Sequence, residues 1–142
     1  MKLEETIEEL LAKPCWVMDI LPRQVPSEER GPYFKIEHYL LNHQQLAERF
    51  ANVIVKLNCY ENLTIYRDND GGTENPEPET IVQWVRESLS GQRPLYVLFR
   101  DNNVMLFLTG CDHYMTLFNP DDESLALLRL LAVSENLFVW KP

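Results

Sequence analysis

Hydrophobic positions along this chain fall either at helical spacing or in short continuous runs. The N-terminal segment repeats an apolar residue every three or four positions, with glutamates between them, at Leu3, Ile7, Leu10 and Leu11. This spacing predicts an amphipathic helix, which Pro14 ends. The apolar run from Trp16 to Leu21 predicts a strand, and Asp19 inside it needs water or a hydrogen-bonding partner.

The segment from Tyr33 to Leu41 fits both the period of a helix and the alternation of a strand. Asn42 followed by Gln45 has the form of a capping box, which predicts a new helix from about His43 to Asn58. We therefore expect residues 33–41 to be extended. The helix after them should belong to the core, because it has the clearest apolar stripe of the chain. That stripe consists of Leu46, Phe50, Val53, Ile54 and Leu57.

The remaining apolar patterns predict two further helices and five further strands. The helices should run from Pro76 to about Ser90 and from Pro120 to about Val133, and the strands should cover 63–67, 95–100, 104–109, 114–118 and 137–140. The turn residues at 101–103 favour a tight hairpin, so residues 95–118 should form an antiparallel meander. Four helices and six to seven strands predict one α+β domain over residues 1–142, with a mixed, mostly antiparallel sheet.

One phrase occurs twice, as Asn75-Pro76-Glu77-Pro78-Glu79 and as Asn119-Pro120-Asp121-Asp122-Glu123. In both copies the asparagine suits the N-cap of a helix, the proline suits its first position, and the acids face the positive end of the helix dipole. Because proline and carboxylates occupy these helix starts, they are poor phosphate sites, and the chain has no glycine-rich phosphate loop elsewhere. The repetition reflects either a duplication or the frequency of such helix starts.

Composition and charge disfavour several classes of function. With 45% hydrophobic residues among 142, the chain should fold without metal or disulfide support. Its 22 acidic and 13 basic residues give a formal charge of -9, which repels nucleic-acid phosphates and anionic membranes. No apolar run approaches the roughly 18 residues of a membrane span, and the N-terminus does not resemble a secretory signal. We expect a cytoplasmic protein without a cofactor, in which Cys15, Cys59 and Cys111 form no disulfides.

Acidic residues concentrate in two segments that contain no basic residue. If the strand-helix-strand units around them run in the same sense, most of these acids lie on one rim of the sheet. The simple interpretation is a solvated face, but tyrosine beside acids is also typical of protein-binding surfaces. Our first hypothesis is therefore a non-enzymatic protein-binding domain, an adaptor or inhibitor, whose acidic rim binds a basic protein. The surface would comprise Asp68, Asp70, Glu74, Glu77, Glu79, Asp121, Asp122, Glu123, Tyr66 and Tyr114.

A second hypothesis places the function at a cysteine-based site, and a third concerns the oligomeric state. Cys111, Asp112 and His113 place a thiol, a carboxylate and an imidazole in one turn, which are the residue types of a cysteine nucleophile and its base. They indicate a small enzyme or ligand-binding domain. Cys59, at the end of the core helix, should instead be buried. The third hypothesis is a homo-oligomer in which the terminal strand pairs with its copy.

Metal binding is weakly indicated. Residues 68–79 begin like a calcium-binding loop, but Thr73 stands where the sharp turn of that loop needs glycine. A site made from Cys59, Cys111, Asp112 and His113 would lack the close ligand pairs that are typical of zinc sites. We therefore expect no bound metal.

Overall fold

The computed structural model of the protein describes residues 2–25, 33–43, 45–67, 71–91, 93–110 and 113–142. In these ranges the chain forms five helices and a seven-stranded sheet, which confirms the α+β class. The helices are α1 (Leu3–Leu11), α2 (Tyr33–His43), α3 (Leu46–Leu57), α4 (Pro78–Leu89) and α5 (Asp122–Ser134). The strands are β1 (Cys15–Asp19), β2 (Thr64–Tyr66), β3 (Thr73–Glu74), β4 (Leu95–Phe99), β5 (Val104–Leu108), β6 (Met115–Phe118) and β7 (Phe138–Trp140).

The strands lie in the order β3-β2-β4-β5-β6-β1-β7, and every neighbouring pair is antiparallel. The predicted meander is confirmed as β4, β5 and β6, with Val97 opposite Leu106 and Leu106 opposite Leu117. The described part of the sheet is thus antiparallel throughout, and not mixed as predicted. The reason is that β1 inserts between β6 and β7, which run in the same direction and would otherwise form a parallel pair.

Helices cover both faces of this sheet. Because side chains alternate along a strand, Val97 and Leu106 point into the larger core, which they share with residues of α3, α4 and α5. Leu98 and Met105 point to the other face, where they form a smaller core with Leu10 of α1. Since both faces are covered, the central strands appear in the sequence as continuous apolar runs.

The prediction of an extended segment at 33–41 is wrong, because these residues form most of α2. The inward face of α2 includes Glu37, whose polar side chain obscures the helical pattern in the sequence. The predicted capping box is not formed either. Asn42 lies inside α2, and Gln45 precedes α3 in a left-handed conformation, with φ of 51° and no side-chain capping bond.

Both repeated phrases precede helices, but their asparagines are not the caps. The N-caps are Glu77 for α4 and Asp121 for α5, and Pro78 is the first residue of α4. Asn75 and Asn119 lie two residues before these caps and adopt left-handed φ values of 44° and 61°. Asparagine tolerates this conformation better than most residues, and its amide is then available to neighbouring strands.

Candidate functional site

The starts of α4 and α5 lie at the same end of the sheet. The sequence prediction assumed that the two strand-helix-strand units run in the same sense, and this assumption is wrong. Successive antiparallel pairing of β2, β4, β5 and β6 makes β2 and β6 run in opposite directions. The short strand β3 then reverses the chain after β2. Asn75 therefore returns to the end at which Asn119 follows β6. We use the name acidic rim for the described carboxylates at this end, namely Glu61, Glu74, Glu77, Glu79, Asp101, Asp121, Asp122 and Glu123.

The two asparagines fix the backbone at this end. The Asn75 backbone N–H donates to the Leu63 carbonyl at 2.9 Å, and its Oδ1 accepts the Leu63 N–H at 2.8 Å. The Asn119 backbone N–H donates to Pro14 O at 2.9 Å, while its Nδ2 donates to Asn103 O at 2.8 Å. Each asparagine thus joins a helix start to another segment, which explains why neither caps its helix.

A cleft of about 620 Å³ opens at the acidic rim. Polar side chains make up most of its lining, which consists of Glu61, Asn62, Arg100, Asp101, Asn103, Val104, Asn119, Pro120 and Asp121. Three carboxylates against one guanidinium leave the lining with two formal negative charges. A cationic group is therefore favoured in this cleft over an anionic one.

Arg100 connects three parts of the chain at the cleft. Its Nε donates to Glu61 Oε2 at 3.1 Å and its Nη1 donates to Asp121 Oδ2 at 3.2 Å. Its Nη2 donates to Glu123 Oε1. The hydrogen bond with Glu123 raises the pKa of Arg100 further, and the charges of Glu61 and Asp121 act in the same direction. The guanidinium thereby fixes the positions of carboxylates that would otherwise repel one another.

The turn that carries Arg100 is conformationally unusual. Arg100, Asp101 and Asn102 all have positive φ, at 56°, 55° and 62°. The turn is closed by the backbone N–H of Asn103, which donates to Phe99 O at 3.2 Å and to Arg100 O at 3.1 Å. Successive left-handed residues are costly for L-amino acids, and such strain is concentrated at functional sites in proteins.

Asp121 caps the start of α5 and also lines the cleft. Its Oδ1 accepts the Ser124 backbone N–H at 2.7 Å, and the Ser124 hydroxyl accepts the Asp121 N–H at 3.0 Å. The hydrogen bonds from Ser124 lower the pKa of Asp121, and the charge of Arg100 lowers it further. Asp121 is therefore a fixed negative charge at neutral pH.

The residues predicted for the binding surface divide between the two ends of the sheet. Six of them belong to the acidic rim, namely Glu74, Glu77, Glu79, Asp121, Asp122 and Glu123. Glu74 is exposed on β3. Tyr66 and Tyr114 lie at the opposite end, and Tyr66 is only 7% exposed, with its ring 5.9 Å from that of Tyr96. Asp68 and Asp70 are outside the described residues.

Glu61 and Arg100, two of the residues that line the cleft, were not among the predicted site residues, whereas Asp121 was. Glu61 and Arg100 have no local pattern that relates them, since they are far apart in the sequence and meet only in the folded sheet. The turn types at 101–103 were the one available signal for this region. Tyr60 adds an aromatic ring beside Glu61 and is 68% exposed.

Of the residues in the cysteine-based hypotheses, only Cys59 and His113 belong to the described residues. Cys111 and Asp112 lie outside them, and His113 is half-buried before β6. Cys59 is exposed after α3, so the prediction that it is buried is wrong. It lies at the end of the sheet opposite His113, because it precedes β2. No group of three or more His, Cys, Asp or Glu side chains in the described ranges could hold a metal ion.

No protein-family model, curated protein or solved structure matches this chain. Among the described helices, none combines the length and the apolar character that a membrane span requires. The functional argument therefore depends on the geometry and charge of the acidic rim and its cleft.

Proposed function

We propose that this protein is a non-enzymatic protein-binding domain, an adaptor or inhibitor, whose acidic rim binds a basic surface of another protein. The observation that carries the proposal is the cleft of about 620 Å³ lined by carboxylate and amide groups. Its volume falls within the roughly 300–1,000 Å³ range of ligand sites. Its polar lining suits a charged side chain better than an apolar one.

The most suitable occupant of the cleft is a lysine or arginine side chain of the partner. The side chains of Glu61, Asp101 and Asp121 provide carboxylate oxygens, and those of Asn62 and Asn103 provide amide oxygens. Ammonium and guanidinium groups are donors only, so acceptors of this kind match them. Arg100 already binds Glu61 and Asp121 there, which is the same pairing that a partner arginine would use.

Charge outside the cleft supports the same partner. The acids at the starts of α4 and α5 extend the negative surface around the cleft, and the whole chain has a formal charge of -9. Such a field accelerates the association of a basic protein and makes it depend on ionic strength. We retain the expectation of a cytoplasmic protein, and the described cysteines, Cys15 and Cys59, are free thiols.

Affinity capture at low and high salt tests the proposal. Immobilised full-length protein should retain a basic protein at about 50 mM salt and lose most of it at about 500 mM, because charged surfaces are screened. Asp101→Asn should weaken binding of the purified partner by about three- to tenfold, since it removes one charge from the cleft. Asparagine also tolerates the positive φ at this position.

Glu8→Gln is the matched control, because it removes one exposed carboxylate from α1, away from the cleft. An equal loss of affinity for the partner in both variants would mean that binding depends on the net charge of the protein alone. Binding that ignores salt, or no partner at either salt concentration, would refute the acidic rim as the binding surface.

The enzyme alternative depends on Cys111, Asp112 and His113 and has only the sequence in its favour. Of these, only His113 belongs to the described residues. The described residues near His113 include the carboxyl group of Asp19 but no cysteine, whereas the acidic rim has both a cleft and a defined set of groups. We therefore prefer the binding function.

A further inference from the structure

A second group of titratable side chains lies at the end of the sheet opposite the acidic rim. Asp19, the last residue of β1, is only 4% exposed, and its Oδ1 accepts the Ile20 N–H at 2.7 Å. His113 precedes β6 at the same end, and its Nδ1 is buried without a hydrogen-bond partner. Neither residue belongs to the proposed binding cleft.

The helix α2 covers this group with polar side chains and exposes apolar ones. Tyr33 and Glu37 are half-buried on its inward face, and the Tyr33 hydroxyl donates to Glu37 Oε2 at 2.8 Å. Phe34 is 79% exposed and Tyr39 56% exposed. Leu40 is half-buried on the same face. The inward face of the described part of α2 thus combines polar groups with one aliphatic side chain, and is more polar than that of an ordinary amphipathic helix.

The charges around Asp19 favour its neutral form. The pKa of Asp19 is raised to about 6, mainly by burial and in part by the charge of Glu37, whereas the hydrogen bond from Ile20 and the charge of His113 act in the opposite direction. Burial also raises the pKa of Tyr33, as do its hydrogen bond with Glu37 and the charges of Asp19 and Tyr114. The groups that face Asp19 thus come from β1, from α2 and from the segment before β6.

We propose that Asp19, Tyr33, Glu37 and His113 form a pH-sensitive latch that holds α2 against the sheet more tightly in mild acid than in alkali. When Asp19 is ionised, it repels Glu37 and lacks adequate solvation under α2. Movement of α2 away from the sheet would expose this carboxylate to water. Protonation of Asp19 removes both penalties.

The sign of the pH dependence follows from the change in the pKa of Asp19 when α2 covers it. Asp19 has an ordinary value of 3.8 and a value of about 6 when covered, so the covered state binds more protons between these limits. Stability of the covered state therefore falls as the pH rises from about 4 to above 6. If uncovering restored the ordinary pKa, the closed state would weaken by about tenfold between pH 5 and pH 8.

Hydrogen exchange of the full-length protein tests the latch. Amides of residues 33–43 should lose protection as the pH rises from 5 to 8, by up to about tenfold after correction for the intrinsic exchange rate. Asp19→Asn should abolish most of this dependence, because asparagine has a similar shape and does not titrate. Asp122→Asn, an exposed change on α5, should leave it intact.

Two results would overturn the latch. One is a pH dependence of α2 protection that is the same in Asp19→Asn as in the unmodified protein. The other is an equal loss of protection in α2 and β5, which would indicate a change in the whole fold. Should Asp19→Asn fold poorly, Glu37→Gln provides the same test, since it removes the facing carboxylate and should reduce the dependence.

Discussion

Asp19 carries a carboxylate into the interior of the protein, and no basic side chain among the described residues forms an ion pair with it. Arg67, which is also buried, is in contrast paired with Glu87 at 2.5 Å and lies over the Trp84 ring at 5.0 Å. Asp19 Oδ1 has the backbone N–H of Ile20 as its partner. The fold therefore pays a desolvation cost at Asp19 whenever this group is ionised.

Substitution of Asp19 should consequently stabilise the protein at neutral pH. Because burial raises its pKa to about 6 from 3.8, the cost is complete above pH 6 and nearly absent below pH 4. Asp19→Asn should raise the free energy of unfolding at pH 7.5 by about 1 to 3 kcal/mol, with little change at pH 4. Urea unfolding at the two pH values measures this, and a loss of stability at pH 7.5 would contradict it.

Arg100 shows how one residue defines the acidic rim. Three carboxylates from two other segments meet at its guanidinium, namely Glu61 before β2 and the pair Asp121 and Glu123 at the start of α5. Its own side chain is about one-fifth exposed, so water weakens these pairs only in part. The arrangement of the cleft depends on this residue more than on any single acid.

At the scale of elements, the starts of α4 and α5 look alike in sequence and differ in structure. α5 begins with a reciprocal capping box between Asp121 and Ser124, and Ser124 is fully buried. α4 begins at Glu77 without a side-chain capping bond. The two copies of the repeated phrase therefore begin their helices through different local contacts.

This difference predicts unequal effects of alanine at the two caps. Asp121→Ala should lower the free energy of unfolding by about 0.5 to 2 kcal/mol, because it leaves the Ser124 N–H without its acceptor. Glu77→Ala should change it by less than about 0.5 kcal/mol. Asp121→Asn serves as a control that keeps a capping oxygen. Equal losses at both caps, measured by urea unfolding, would contradict the assignment.

At the scale of the whole molecule, the described sheet has two short edges. β3 contains two residues and β7 contains three, and short edge strands are one way in which proteins avoid pairing with a copy. The total charge of -9 adds repulsion between copies. These features favour a monomer over the homo-oligomer hypothesis.

Light scattering with size-exclusion chromatography tests this expectation. The purified protein should have the mass of one chain, 16.7 kDa, at micromolar concentration. The mass should stay constant when salt is raised to screen the repulsion. A mass of two chains would instead support pairing of the terminal strand.

Local sequence patterns predicted most of the elements because their causes are local. The stripes of α1, α3 and α4 and the turn residues of the meander depend on neighbours within a few positions. Segment 33–43 was the exception. Its inward face contains Glu37, which is tolerated there by contacts with Tyr33 and the groups near Asp19, and no local pattern contains that information.

The sequence alone determined the α+β class, the meander and the negative charge of the helix starts, since these follow from periodicity and composition. Only the tertiary structure decided that β3 returns the chain to the end where β6 finishes, and that Arg100 meets Glu61 and Asp121 there. These contacts depend on strand order and direction, which the antiparallel pairing of β4 with β2 and β5, and of β5 with β6, sets at long range. The composition of the chain therefore predicts an acidic surface, whereas the cleft forms only when the sheet folds.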